Sequence, residues 1–439
     1  MSLKTKCLLR DFCKYMYFTG VGNYWSEGIY RETVLYKAYC VVSFSIYISM
    51  IFLENLAAVF GIFPEVEKNS AVMFSAIHNI ILVKMFLLFY HKKSIRKLNY
   101  EMATVGENFE EDFVMKKQYR KVKIGILLYL ISVYLSLISY GVESARKLFR
   151  EGAPFYTVVT YYPYYDDHSN LAAFFRIFFY VTWLYMMLPM MSADCLPIVH
   201  LITMTAKFIT LRHHFKRIRV RFDQDLLTIN KRTAIEKLKA GFLEGIQMHQ
   251  KLLFLADEIH RVFGVIMSLQ VCESSAVAVL LLLRLALSPH LDLTNAFMTY
   301  TFVGSLFLLL ALNLWNAGEI TFQASLLSNA MFYCGWHSCE IEKPSHKDIR
   351  RLVLIGCAQA QKPLILKAFG IQDLSYGTFV SVRHHIILQL TKRVKMNVRK
   401  ISDVFEFFFY FCAMSRYILV NFYKKVSLIV MSRSNLNIK

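Results

Sequence analysis

Nine cysteines and 13 histidines are spread over the 439 residues, and their spacing limits the chemistry they could support. The tightest group is Cys334, His337 and Cys339. No second ligand pair follows at zinc spacing, and no Cys-x-x-Cys occurs, so packed or free thiols fit better than a metal site. His213-His214 and His384-His385 sit in basic stretches without carboxylates at helical ligand spacing; they read as solvated or interfacial histidines. Gly20-Val21-Gly22 lacks the strand and third glycine of a dinucleotide turn. No phosphate loop, Gly-x-Ser-x-Gly elbow or His-Glu-x-x-His run is present. The expectation is therefore no catalytic residue, no metal ligand, no cofactor and no enzyme.

A second group stands out by its surroundings. Glu54, Lys84, Arg176, Asp194 and Glu273 each lie inside a long apolar block. Ionisable groups there are costly and mark functional places. Lys84 is within reach of one end of its block, and Arg176 and Glu54 are near the other end of theirs; both basic residues could snorkel. Asp194 lies between Pro189 and Pro197, where a kink could expose it to water. Glu273 is mid-block and is expected to be paired or to face a cavity.

The elements that hold these residues follow from composition. The chain is 56% apolar and only 19% charged, with mean hydropathy +0.39. Charged residues near a quarter of the chain are usual for soluble proteins. The apolar excess falls in blocks of about 20 residues, the length of a membrane helix. Seven spans are predicted, near 34–60, 71–90, 124–142, 171–201, 262–287, 295–317 and once in the last seventy residues. Lone lipid-facing strands cannot satisfy their backbone, so the spans are helices. The fold class is thus all-α, a polytopic membrane protein with seven transmembrane helices.

Net charge is +20, which could suggest nucleic acid. The basic residues instead fall in alternate loops: 33 Lys and Arg on one side against 5 on the other. The positive-inside rule explains this pattern, places the N-terminus in the cytoplasm and needs no nucleic acid. The predicted organisation is a cytoplasmic N-terminus (1–33), spans one to six (34–317), a cytoplasmic region (318–374), and span seven with a basic tail (375–439). Within 206–261, Leu252, Leu253, Leu255, Ile259, Val262 and Phe263 recur at helical spacing. They predict a long cytoplasmic helix running into span five. Its stripe could cover other helices, another subunit or the membrane surface.

The outer halves of spans two to six could form a pocket. Candidates are Phe74, Ile77 and His78 in span two, and Tyr134, Leu137 and Ile138, sharing one face with Gly141, in span three. Span four adds Phe175, Phe178, Phe179 and Thr182, beside Phe174 and Trp183. Aromatic walls with a few polar groups suit a small apolar or volatile ligand; the same stripes also serve as packing. The tyrosine-rich outer loop 155–170 would be a lid or an interfacial belt.

After span six the motifs become specific. Ala317-Gly318-Glu319-Ile320 closes the span, followed by Ala330, Phe332-Tyr333 and Trp336. Then come Arg350-Arg351, Ala360-Gln361-Lys362-Pro363-Leu364 and Leu374-Ser375-Tyr376-Gly377-Thr378-Phe379. Their order resembles the C-terminal signature of insect odorant receptors, as does His249-Gln250 ahead of span five. The general plan is similar over about residues 1–382. The resemblance implies a multi-pass protein of the plasma membrane and an odorant-gated, non-selective cation channel. It implies a hetero-oligomer, a tetramer of odour-tuning subunits with a coreceptor subunit, with an outer pocket for the odorant. The coreceptor's extended second cytoplasmic loop is missing, which points to a tuning subunit. A gustatory-type receptor would carry a different motif in span seven; a transporter would show inverted repeats, and none is visible.

After Val382 the pattern is lost. Arg383-His384-His385 is followed by Lys392, Arg393, Lys395, Arg399 and Lys400 where a continuous apolar helix is expected. The apolar block from Val404 to Tyr423 could span instead. Our hypothesis from sequence is that 383–439 stems from a retained intron or a frameshifted end; a transcript encoding this tail in frame would refute it.

Overall fold

The computed structural model describes residues 4–25, 31–287, 293–339, 344–368, 372–381 and His384. The predicted span in the last seventy residues, and nearly all of the basic tail, lie outside the described residues.

The described chain is almost entirely helical. In order it forms α1 (Thr5–Phe18), α2 (Val34–Phe60), α3 (Glu65–Tyr90), α4 (Lys92–Thr104), α5 (Asp112–Glu151), α6 (Asn170–Thr228), α7 (Lys231–Leu287), α8 (Leu293–Phe332) and α9 (Pro344–Ala360). A short antiparallel pairing, β1 (Lys367–Ala368) with β2 (Gln372–Asp373), sets Lys367 opposite Asp373. The chain then turns helical again at Tyr376.

Local chemistry sets several boundaries. Thr33 Oγ1 accepts from Tyr36 N–H at the start of α2, and Ser169 Oγ accepts from Ala172 N–H at the start of α6. Each satisfies one of the orphan donors of a helix start. Between α6 and α7 only Ile229 and Asn230 leave the helix, and Asn230 Oδ1 accepts from Arg232 N–H.

Apart from α2, which coincides with the predicted 34–60, the spanning helices are longer than the predicted spans. α6 runs through Pro189 and Pro197 for 59 residues, about 88 Å at 1.5 Å per residue. A hydrocarbon core takes about 30 Å of that. The rest pairs with the first half of α7 as an antiparallel extension. Phe215 packs on Phe242 there, with ring centroids 5.3 Å apart. Gly245 permits this approach, since a Cβ would lie 2.5 Å from Phe215 Cζ. Lys207 joins the α6 extension to Glu110 at 2.6 Å, and Glu110 also accepts from Thr5 N–H at the start of α1.

The helices are apolar on both sides. On α5, Ile124, Leu127, Leu128, Ile131, Leu135, Ile138 and Val142 form an exposed stripe opposite the buried face. On α6, Leu171, Phe174, Ile177, Phe178 and Val181 do the same. Such a surface is stable only against lipid or another protein. Five helices among the described residues (α2, α3, α5, α6 and α8) are long and apolar enough to cross a membrane. The chain is a multi-pass membrane protein.

Candidate ligand site

The site grows from one face of α3. Phe74, Ile77, His78, Ile81, Lys84 and Leu88 recur at three- and four-residue steps, and all are buried. Phe74 is the centre of a ring cluster drawn from four helices. Its centroid lies 5.5 Å from Trp183 on α6, and 6.0 Å each from Tyr140 on α5 and Phe302 on α8. The contacts with Trp183 and Tyr140 are edge-on, the geometry aromatic quadrupoles prefer. One turn along, His78 lies 6.2 Å from Tyr47 of α2.

A polar relay crosses this apolar cluster. Trp183 Nε1–H donates to His78 Nε2 at 3.1 Å, and His78 Nδ1 is 2.6 Å from Glu54 Oε2. Glu54, His78 and Trp183 are all buried. Glu54 therefore has a partner on the neighbouring helix at depth. Alongside it, Asn55 and Asn79 form a second α2–α3 contact, with Ser75 Oγ donating to Asn55 Oδ1 at 2.6 Å.

Two turns further along α3 lies an ionic cluster. Lys84 Nζ is 3.0 Å from Asp194 Oδ1 of α6 and 2.5 Å from Glu273 Oε2 of α7, and it also donates to Gln270 Oε1. Tyr129 of α5 donates to Asp194 Oδ2 at 3.1 Å. Lys84 is fully buried, which corrects the snorkelling expectation. Two carboxylates beside the ammonium offer it a nearer partner than water. Asp194 is likewise buried by its partners; the prolines flanking it do not open it to solvent. Glu273 is paired, as a mid-block charge should be.

Arg176 closes the other end of the cluster. Its Nη2 donates to the carbonyls of Tyr164 and Tyr165 at 2.8 and 3.2 Å, and its guanidinium lies 4.6 Å from the Tyr156 ring centroid. It too is buried rather than snorkelling. Residues 156–165 of the tyrosine-rich loop are thereby fastened over α6.

The structure distributes the sequence candidates unevenly. Phe74, Ile77, His78, Leu137, Phe179 and Thr182 are buried within the bundle. Tyr134 is half-buried and donates to the Leu184 carbonyl at 2.9 Å. Phe175 is half-buried, 5.7 Å from Tyr162 of the loop. Ile138 and Phe178 are 52% and 40% exposed and are not brought to the inner face. The buried face of α5 is centred on Tyr129, Val133, Ser136 and Leu137, roughly one 100° step from the face read in sequence. On α6, Phe178 is likewise one step away from buried Phe179.

Sequence reasoning missed Tyr47, Tyr140 and Phe302; it set Trp183 beside the candidates of span four without naming it as one. Tyr47 had a signal: with Met50, Ile51 and Glu54 it makes a three–four–seven pattern. Phe302 had none, because α8 is apolar all round. Of the histidine pairs, His213 bonds Glu111 at 2.7 Å and His214 the Gly241 carbonyl at 3.0 Å; His385 is outside the described residues. Cys334 and Cys339 are buried free thiols, and among the described residues no group of three His, Cys, Asp or Glu could hold a metal ion.

Comparison with known proteins gives this arrangement a setting. The sequence profile of a family described as 7tm Odorant receptor matches residues 65–387. Two solved structures of the insect olfactory receptor OR5 from Machilis hrabei share the fold. The one in complex with eugenol has a TM-score of 0.73 at 12% identity, covering 89% of this chain and 98% of its own. The other has the same score and identity, covering 90% and 100%. No curated protein sequence matches.

Proposed function

The chain belongs to the insect odorant receptor family, and from that premise we propose that it is an odour-tuning subunit of a ligand-gated cation channel. It assembles with a coreceptor subunit in the plasma membrane, N-terminus inside. The observation that carries the reading is the ring cluster of Phe74, Tyr140, Trp183 and Phe302, with the Glu54–His78 pair beside it. Large apolar walls with a few placed polar groups are how proteins hold small ligands. With the basic loops inside, the cluster lies in the outer half of the bundle, under the Arg176-fastened loop. A solved relative in complex with eugenol supports a small-molecule ligand. Binding would drive opening through higher affinity for the open state.

The test is membrane current in cells expressing this chain with an odorant coreceptor, challenged with an odorant panel. Current only in co-expressing cells is expected. Protein delivered to the surface without current would point to the tail or to a different function. Repeating the assay with a tail of the family pattern after Val382 would separate a fault of the tail from a different function.

A further inference from the structure

Glu54 carries a polar atom that has no partner among the described residues. Its Oε2 bonds His78, while its Oε1 is buried with no hydrogen-bond partner among the described residues. The bond on the far side of His78 fixes the direction of the relay. An indole N–H can only donate, so His78 Nε2 accepts from Trp183. The single proton of the neutral ring is then on Nδ1 and is donated to Glu54 Oε2. His78 supplies a hydrogen bond and no positive charge, and Oε1 remains an open acceptor. Leaving a buried polar group unsatisfied is costly, and folds keep few of them. Around His78 stand the rings of Tyr47, Phe74 and Trp183, with centroids 6.2, 6.1 and 6.2 Å away.

We propose that Glu54 sets the ligand class of this receptor: a small apolar molecule bearing one N–H or O–H donor, an amine or an alcohol. The donor bonds Glu54 Oε1, and the apolar body lies against the ring cluster. This rests on the reading of that cluster as the ligand site. Ethers and ketones of the same shape present Oε1 with a second acceptor and are rejected. A protonated amine gains further from the faces of the rings.

The test uses the full chain in lipid nanodiscs and reads thermal stabilisation by ligand, not current. The probes are benzyl alcohol, benzylamine, benzyl methyl ether and acetophenone. Half-maximal stabilisation by one or both donors is expected at a concentration at least about tenfold lower than by the ether or ketone. The amine-to-alcohol ratio separates an ammonium from a hydroxyl. In Glu54→Gln the amide oxygen takes the His78 bond and the NH2 occupies the place of Oε1, so the order inverts and acetophenone binds best. The unliganded melting point of the variant reports whether it folds; if it does not, the wild-type ranking decides. Equal stabilisation by benzyl alcohol and its methyl ether overturns the proposal. So does a folded Gln variant with the wild-type order, or the absence of stabilisation by every probe. Donor-selective stabilisation, with no odorant-evoked current even when the tail after Val382 follows the family pattern, would uphold this proposal and remove the channel reading.

Discussion

Tyr376 donates its hydroxyl to Glu319 Oε2 at 2.6 Å, joining the helical turn after β2 to the second half of α8. The two residues are 57 positions apart, yet their motifs form one contact. Gly318 is part of it: a Cβ there would sit 3.1 Å from the Tyr376 backbone nitrogen. Trp315 packs edge-on against the Tyr376 ring at 5.1 Å.

Tyr376→Phe is expected to lower stability by about 1 kcal/mol, the ordinary worth of a partly exposed hydrogen bond. Gly318→Ala is expected to cost more, because backbone rather than a flexible side-chain tip must move. Melting points of the two variants in nanodiscs check both; an alanine variant as stable as wild type would show that the approach is looser than the structure has it.

Lys84→Met removes the cation from between Asp194 and Glu273 and leaves two buried carboxylates without it. Breaking a buried ion pair from one side costs about 3–5 kcal/mol. Loss of surface delivery is the expected result. The triple variant Lys84→Met, Asp194→Asn, Glu273→Gln should recover most of it, since no unpaired charge remains. A triple variant as poor as the single one would argue against charge as the cause.

His249 is buried on the α7 extension, before the apolar stretch that begins near Val262. Burial pushes its pKa down to about 4. The folded state therefore resists protonation while the unfolded chain accepts a proton near pH 6.5. Stability is full above the unfolded value and falls as pH drops toward the folded value, by about 2 kcal/mol at pH 5. Melting points from pH 7.5 to 5 should fall less steeply in His249→Phe than in wild type. Parallel slopes would mean that His249 titrates normally.

Arg176→Ala takes away both carbonyl bonds and the stacking on Tyr156. Amide hydrogen exchange over 156–167 should accelerate at least about tenfold, equivalent to about 1.4 kcal/mol. Exchange on α5 and α8 should be unchanged. An unaltered loop would show that its own tyrosine contacts, such as Tyr156 with Tyr165, suffice to hold it.

Part of this arrangement is legible in the residues alone. Long apolar blocks force helices, because backbone groups in hydrocarbon have no other partners. The order of motifs from Ala317 to Phe379 points to the family, and a mid-block Glu273 demands a partner. The inward faces are not legible. In a soluble helix the polar side marks the exterior, but Ile138 faces out on α5 and Leu137 faces in, and both are apolar. Periodicity loses its contrast where lipid replaces water, so the buried face of α5 reads about one residue step away from where it lies. Partners are hidden for another reason. Lys84 meets Asp194 and Glu273 across 110 and 189 positions, and His78 meets Trp183 across 105. Sequence determined that these side chains were too costly to stand alone in a membrane. Only the packing of α2, α3, α6 and α7 decided which ones would meet, because the lowest-energy partner of a buried charge is set by distance in space.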